Sequence, residues 1–183
     1  MKMGVVGCGH MAGVMVERWL DVGLLAANQV QGATATEAEA ELVRQRLGIG
    51  CTADAAEAIV DCDVVLLAIK PQQVEAVLPA LAQYVPAGQI WLSVLVGTPR
   101  DRVAALLGER PRVVRIMPNT PARVGLGATA VCLHPELLPD ERAMIVELLG
   151  ALGAVFPMEE EQINGFTAVA GSGPAYVFLM MEA

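Results

Sequence analysis

The sequence predicts an α/β protein, a doubly wound, mostly parallel sheet followed by the start of a helical domain. Short apolar runs alternate with helix-length segments as far as Met158, the pattern of parallel strands joined by crossover helices. Hydrophobic residues make up 55% of the 183 residues and aromatics only 4%. Such a core is built from Ala, Val, Leu, Ile and Met, which suits strands buried on both faces. A glycine-rich turn also stands between the first strand and the first helix.

Met3 to Val6 reads as the first strand, and His10 to Val22 as a helix with Met11, Val14, Met15 and Leu20 at helical spacing. Gln29 to Ala33 is the second strand, and Thr36 and Glu39 stand at capping-box spacing before a helix to about Leu47. Asp54 and Glu57 repeat that spacing and predict a short helix to about Val60. Val64 to Ile69 is a fully apolar strand stopped at Lys70-Pro71. A helix over Val74 to Tyr84 and a strand over Ile90 to Val94 follow, then a helix with Pro99 in its first turn. Strands at Val113 to Met117, Ala128 to Leu133 and Ala154 to Phe156, with a helix from Asp140 to Leu149, complete a sheet of seven or eight strands with parallel pairing. Composition shifts at Met158-Glu159-Glu160-Glu161, so the domains are expected at 1–158 and 159–183.

Twelve Lys and Arg against 20 Asp and Glu leave a net charge of −8 with no dense basic run, which argues against a nucleic-acid partner. The start reaches glycines before any signal-like apolar run. The uncharged stretches 76–99 and 162–181 are broken by prolines and glycines, so neither reads as a membrane span. The expected setting is cytoplasmic. Cys8, Cys51, Cys62 and Cys132 form no C-x-x-C pair and read as small buried residues. With only His10 and His134, a His-rich metal centre is not expected.

Gly7-Cys8-Gly9-His10-Met11-Ala12 has G-x-G-x-x-A spacing after a strand and at the start of a helix. Gly7 permits the tight turn, Gly9 lets backbone approach a pyrophosphate, Ala12 allows close helix packing, and the helix N-terminus offers N–H groups to the anion. A Rossmann-like dinucleotide domain follows from this context. At the end of the second strand, Gln31 to Thr36 carries no carboxylate, and the Thr34 hydroxyl suits a 2′-phosphate, which favours NADP with NAD possible. Later strand ends should line the same crevice, bringing in Ala68, Lys70 and Pro71, then Gly97, then Met117, Pro118 and Asn119. Lys70 reads equally as a cofactor contact or a solvated strand end. Prolines 118 and 121 stiffen the loop that aims Asn119 and Thr120.

Three segments together resemble the pyrroline-5-carboxylate reductase family: the glycine turn, Arg115-Ile116-Met117-Pro118-Asn119-Thr120-Pro121, and Gly171-Ser172-Gly173-Pro174-Ala175-Tyr176 after Thr167, with Leu67 to Gln72 in support. The resemblance implies hydride transfer from NAD(P)H to 1-pyrroline-5-carboxylate, giving L-proline, with a helical C-terminal domain that makes a homo-oligomer. It implies catalytic roles for Ser172, Gly173, Pro174 and Asn119, and cofactor contacts at Gly7, Gly9, His10, Met11, Ala12, Thr34, Ala68, Lys70, Pro71, Gly97, Met117, Pro118 and Asn119. The chain departs from the family at His10, Leu95-Val96 and Ala170, and lacks a basic residue beside Thr34.

Ser172-Gly173-Pro174 should open the last helix, with free N–H groups facing the nicotinamide or an anionic substrate. His10 is expected beside the cofactor, not as a general acid. Family members continue beyond this segment for another helical domain, so the chain is expected to bind cofactor, turn over poorly and self-associate through Val177, Phe178, Met180 and Met181. Two other readings remain: a non-catalytic NADP-binding module, and a hydroxy-acid dehydrogenase. The latter ordinarily needs a Lys or His in the linking helix, which Glu161 to Ala183 lacks.

Overall fold

The computed structural model describes residues 1–182. The predicted alternation is present as β1 (Met3–Val6), α1 (His10–Asp21), β2 (Val30–Ala33), α2 (Glu37–Leu47) and β3 (Gly50–Thr52). The chain continues through β4 (Val64–Leu67), α3 (Val74–Leu81), β5 (Ile90–Ser93), α4 (Arg100–Leu106) and β6 (Arg112–Met117). Then come β7 (Gly127–Cys132), α5 (Pro139–Gly150), β8 (Gly153–Pro157), α6 (Glu160–Phe166) and α7 (Gly173–Glu182). All eight strands form one sheet in the order β3-β2-β1-β4-β5-β6-β7-β8.

Strand β4 shows why the sheet needs cover on both sides. Its four residues, Val64-Val65-Leu66-Leu67, are all fully buried, and successive side chains point to opposite faces. Val64 and Leu66 enter a core with α1, α2 and α5, whereas Val65 and Leu67 enter a second core with α3 and α4. Trp19 of α1 is buried in the first core, and its indole N–H donates to the Leu148 carbonyl of α5 at 2.7 Å, pinning those two helices together.

Four sequence expectations are corrected. β3 was not foreseen, because three residues beginning with glycine show no period. The helix expected after Asp54 is a series of turns: Asp54 caps only the Ala56 N–H, while the Thr52 hydroxyl bonds Glu57. Pro99 stands at the N-cap of α4, one residue before the first turn. β7 pairs antiparallel with β6, since a short connection, mostly the 3-10 turn Thr120–Val124, replaces a crossover helix. β8 then pairs parallel with β7.

Beyond β8 the helical segment is less interrupted than expected. A π-helical stretch, Thr167–Gly171, joins α6 to α7, and Ser172 keeps right-handed helical dihedrals. Among the described residues no helix is long and apolar enough to cross a membrane.

Replacing Trp19 by Phe leaves the Leu148 carbonyl without its buried donor and opens a small void. We expect a loss of about 2 kcal/mol of unfolding free energy in urea, with the secondary structure unchanged by circular dichroism.

Candidate functional site

The chain runs from β1 to β2 on one side and later places β4 on the other, so the crevice outside their carboxyl ends is the switch point of the sheet. A cleft of ≈ 710 Å³ lies there, lined by the ends of β1, β2 and β4 and by α2. Of the residues expected to hold a cofactor, Gly7, Gly9, Thr34, Ala68 and Lys70 line it.

Gly7 has φ +93, and a Cβ there would lie 2.7 Å from the Ala68 carbonyl oxygen. Its N–H donates to Ala33 at 3.0 Å, so the turn is tied to β2 while it leans on the residue after β4. Gly9, the N-cap of α1, differs: it has ordinary dihedrals, and nothing lies within 4 Å of where its Cβ would be. The fold therefore requires glycine at 7, whereas glycine at 9 keeps space open to the cleft. No side chain caps α1, so its first-turn N–H groups remain for an anion. Ala12 is buried against the core, as the motif requires. This cradle fits a dinucleotide diphosphate.

The adenosine end differs from expectation. The Thr34 hydroxyl donates to the Thr36 carbonyl at 3.0 Å, so its proton is already committed. The missing charges come from α2. Arg46 lines the cleft, reaches over Gly13 and has no ion-pair partner among the described residues, and Glu39 lines the cleft as well. Reading only the residues next to Thr34 missed both; their positions on α2 at helical spacing were the available signal.

The remaining candidates lie outside the cleft lining. His10 is exposed at the start of α1, and Met11 packs on the first core. Pro71 begins a 3-10 turn beside Lys70, whose N–H is capped by Gln73. Gly97 is exposed beyond β5, while Met117 and Pro118 are buried, Met117 against Ile163 of α6. None of these six lines the cleft itself.

Asn119 is a strut. Its side-chain N–H donates to the Ala170 carbonyl of the π-helical stretch at 3.1 Å, and its oxygen accepts from Ala128 N–H at 2.9 Å. The amide thus ties the Gly171-Ser172-Gly173-Pro174 segment beside the end of β6. The Ser172 N–H donates to Thr167 at 3.1 Å, so it is not free for a ligand as expected. The Ser172 hydroxyl has no bond within the described residues.

A second fastening lies at the start of α6. Glu160 accepts from the Arg100 N–H at 2.8 Å and from the Arg100 guanidinium at 3.1 Å, and pairs with Arg115 at 3.4 Å. Arg115 is 2% exposed and also bonds Asn164 at 2.9 Å, with its Nε lacking a partner. Burial alone would raise the Glu160 carboxyl, but the Arg100 bonds and the Arg115 charge outweigh it and hold the group below the ordinary range.

A mostly parallel sheet with an uncapped glycine turn at its switch point defines a domain of the dinucleotide-binding class. In agreement, the family described as "NADP oxidoreductase coenzyme F420-dependent" matches residues 2–97, and "Pyrroline-5-carboxylate reductase dimerisation" matches 160–183. Over 183 residues the chain is 34% identical to the pyrroline-5-carboxylate reductase of Pseudomonas aeruginosa, covering 100% of this chain and 67% of that protein. It is 36% identical to pyrroline-5-carboxylate reductase 1 of Bacillus subtilis, covering 99% and 61% respectively. The pyrroline-5-carboxylate reductase structure from Coxiella burnetii superposes with a TM-score of 0.90 at 30% identity, covering 99% of this chain and 67% of that one. The chain belongs to the pyrroline-5-carboxylate reductase family and spans about two thirds of these relatives' length.

Two predictions follow from the geometry. Gly9→Val should lower thermal stability only slightly, the cost of a β-branched N-cap being about 1 kcal/mol, and weaken NAD(P)H binding by at least about tenfold in fluorescence titration, whereas Gly7→Val should unfold at a markedly lower temperature. Because the Glu160 carboxyl is held low, its contribution is complete above the ordinary carboxyl range and is lost as pH falls through its own depressed value. Glu160→Gln should therefore cost about 2–3 kcal/mol at pH 7 by urea unfolding, and the gap to wild type should close on acidification below about pH 4.

Proposed function

We propose that this chain serves the NADPH-dependent reduction of 1-pyrroline-5-carboxylate to L-proline. The observation that carries the reading is the Asn119 strut, which fastens the Gly171-Ser172-Gly173-Pro174 segment to the same carboxyl edge of the sheet that bears the dinucleotide cleft. The bonded segment lies within 160–183, the part matching the reductase dimerisation family, so that part is tied to the cofactor domain at Ala170.

The bound cofactor supplies a hydride to the C=N carbon. The chain supplies position: Gly7 sets the turn, Gly9 leaves room for the diphosphate, and the first-turn N–H groups of α1 hold its charge. A protonated cyclic imine is already electrophilic, so no strong acid is required of the protein. The Ser172 hydroxyl, with Gly173 and Pro174 behind it, is the group offered to the substrate, and Asn119 keeps it in place. Arg46, without an ion-pair partner among the described residues, favours the phosphorylated dinucleotide, since a guanidinium matches a phosphate in charge and hydrogen-bond geometry.

Helix α7 supports self-association. Phe178, Leu179, Met180 and Met181 are 61–77% exposed along one short helix, apolar side chains whose burial against a second copy is favourable.

The decisive experiment follows NADPH oxidation with 1-pyrroline-5-carboxylate and measures proline formed, in this chain and in its longest reading frame. Proline formation that disappears in Gly9→Val is expected. NADPH binding with no proline from either protein would leave a binding module and overturn the assignment. Arg46→Ala should weaken NADPH by about tenfold and NADH much less, as read by titration with both nucleotides.

A further inference from the structure

Two thiols meet beneath the diphosphate turn. Cys8 stands between Gly7 and Gly9 and lines the cleft, while Cys51 is buried at 6% exposure on β3. β2 passes between them at Gly32, and glycine leaves that place empty: a Cβ there would lie 2.6 Å from the Cys8 sulfur and 3.2 Å from the Cys51 sulfur. The sulfurs therefore flank one point above β2, which any larger residue would occupy. The other cysteines lie apart, Cys62 against Ala58 and Cys132 on β7.

We propose that Cys8 and Cys51 form a reversible intramolecular disulfide that closes the cleft to its dinucleotide. Burial first, and the neighbouring Cys51 thiol second, push the Cys8 thiol up to about 12, so Cys8 rests as a thiol at neutral pH and its oxidation is slow, needing sustained exposure to peroxide. With hydrogen peroxide the reaction balances. One sulfur, giving up its proton, attacks a peroxide oxygen; the O–O bond breaks, water leaves, and that sulfur becomes a sulfenic acid. The second sulfur attacks the first, the S–S bond forms, and hydroxide leaves as water with the second thiol proton. The two thiols lose two electrons and one peroxide becomes two waters.

The bond would change the turn because a disulfide requires Cα atoms closer than about 7 Å, across an intervening strand. Drawing Cys8 toward β3 shifts the backbone between Gly7 and Gly9 and turns the first N–H groups of α1 away from the diphosphate. By linkage, bound dinucleotide protects the pair from oxidation. This consequence rests on the dinucleotide reading; formation of the bond does not.

The test uses the 1–183 chain. NADPH affinity is first measured on the reduced protein, so a failure of the dinucleotide reading shows at that stage. The protein is then treated with hydrogen peroxide, digested without reductant and mapped by mass spectrometry, and affinity is measured again before and after dithiothreitol. A peptide joining Cys8 to Cys51, with NADPH affinity lowered about tenfold or more and restored by dithiothreitol, is expected. Cys51→Ala and Cys51→Ser should bind NADPH as the reduced wild type does and keep that affinity through a peroxide and dithiothreitol cycle. Absence of the linked peptide after peroxide overturns the proposal. So does a dithiothreitol-reversible loss of affinity equal in both Cys51 variants and wild type.

Discussion

At Gly7 two backbones come so close that only a hydrogen fits between them, and the functional half of the molecule is arranged around that approach. One residue leaves β1, hydrogen-bonds the end of β2 and rests on the carbonyl that follows β4. The three strand ends that border the cleft are thus joined through a single left-handed residue, which glycine adopts without steric cost. Two-sided burial of β4 supplies the rigid floor, because side chains in both cores fix its position from opposite directions. A turn built from backbone on such a floor presents its N–H groups in set directions before any ligand arrives.

This solves an electrostatic problem as well. A chain of net charge −8 repels anions at long range, yet its cleft suits a ligand carrying several phosphate charges. The attraction is local: uncapped peptide dipoles at α1 act over a few ångströms, and Arg46 and Lys70 are the cations at the rim. Most other arginines are committed to holding the protein together. Arg100 and Arg115 clamp Glu160, Arg112 pairs with Glu141, and Arg44 bridges Glu37 and Glu41.

Much of this was legible in the chain of residues. Glycine spacing at 7 and 9, the capping pair Thr36 and Glu39, and the apolar run at 64–69 each reflect local rules, and each lies where those rules put it, the strand itself ending two residues early at Leu67. What escaped depends on tertiary neighbours. β3 is an edge strand too short to show a period, and the capping spacing at Asp54 and Glu57 yields only turns because Thr52 competes for Glu57. The reversal at β7 depends on how far the 118–126 connection reaches, which hydrophobic pattern does not encode. Arg46 enters the cleft only once α2 packs against α1, and Asn119 becomes a strut only once Ala170 is brought beside it. Its two flanking prolines gave no sign of what that amide would bond.

The π-helical stretch between α6 and α7 carries an implication for how such a protein can vary. Each residue added to or removed from a helix rotates everything downstream by about 100°, and the wider turn at Thr167–Gly171 is the usual trace of one such extra residue absorbed without breaking the rod. Deleting a single residue here would leave α6 seated on the sheet and swing every side chain of α7 through more than a quarter circle. The angular relation between the sheet's carboxyl edge and whatever docks on that last helix is thus written in one backbone register, which evolution can reset by a lone codon.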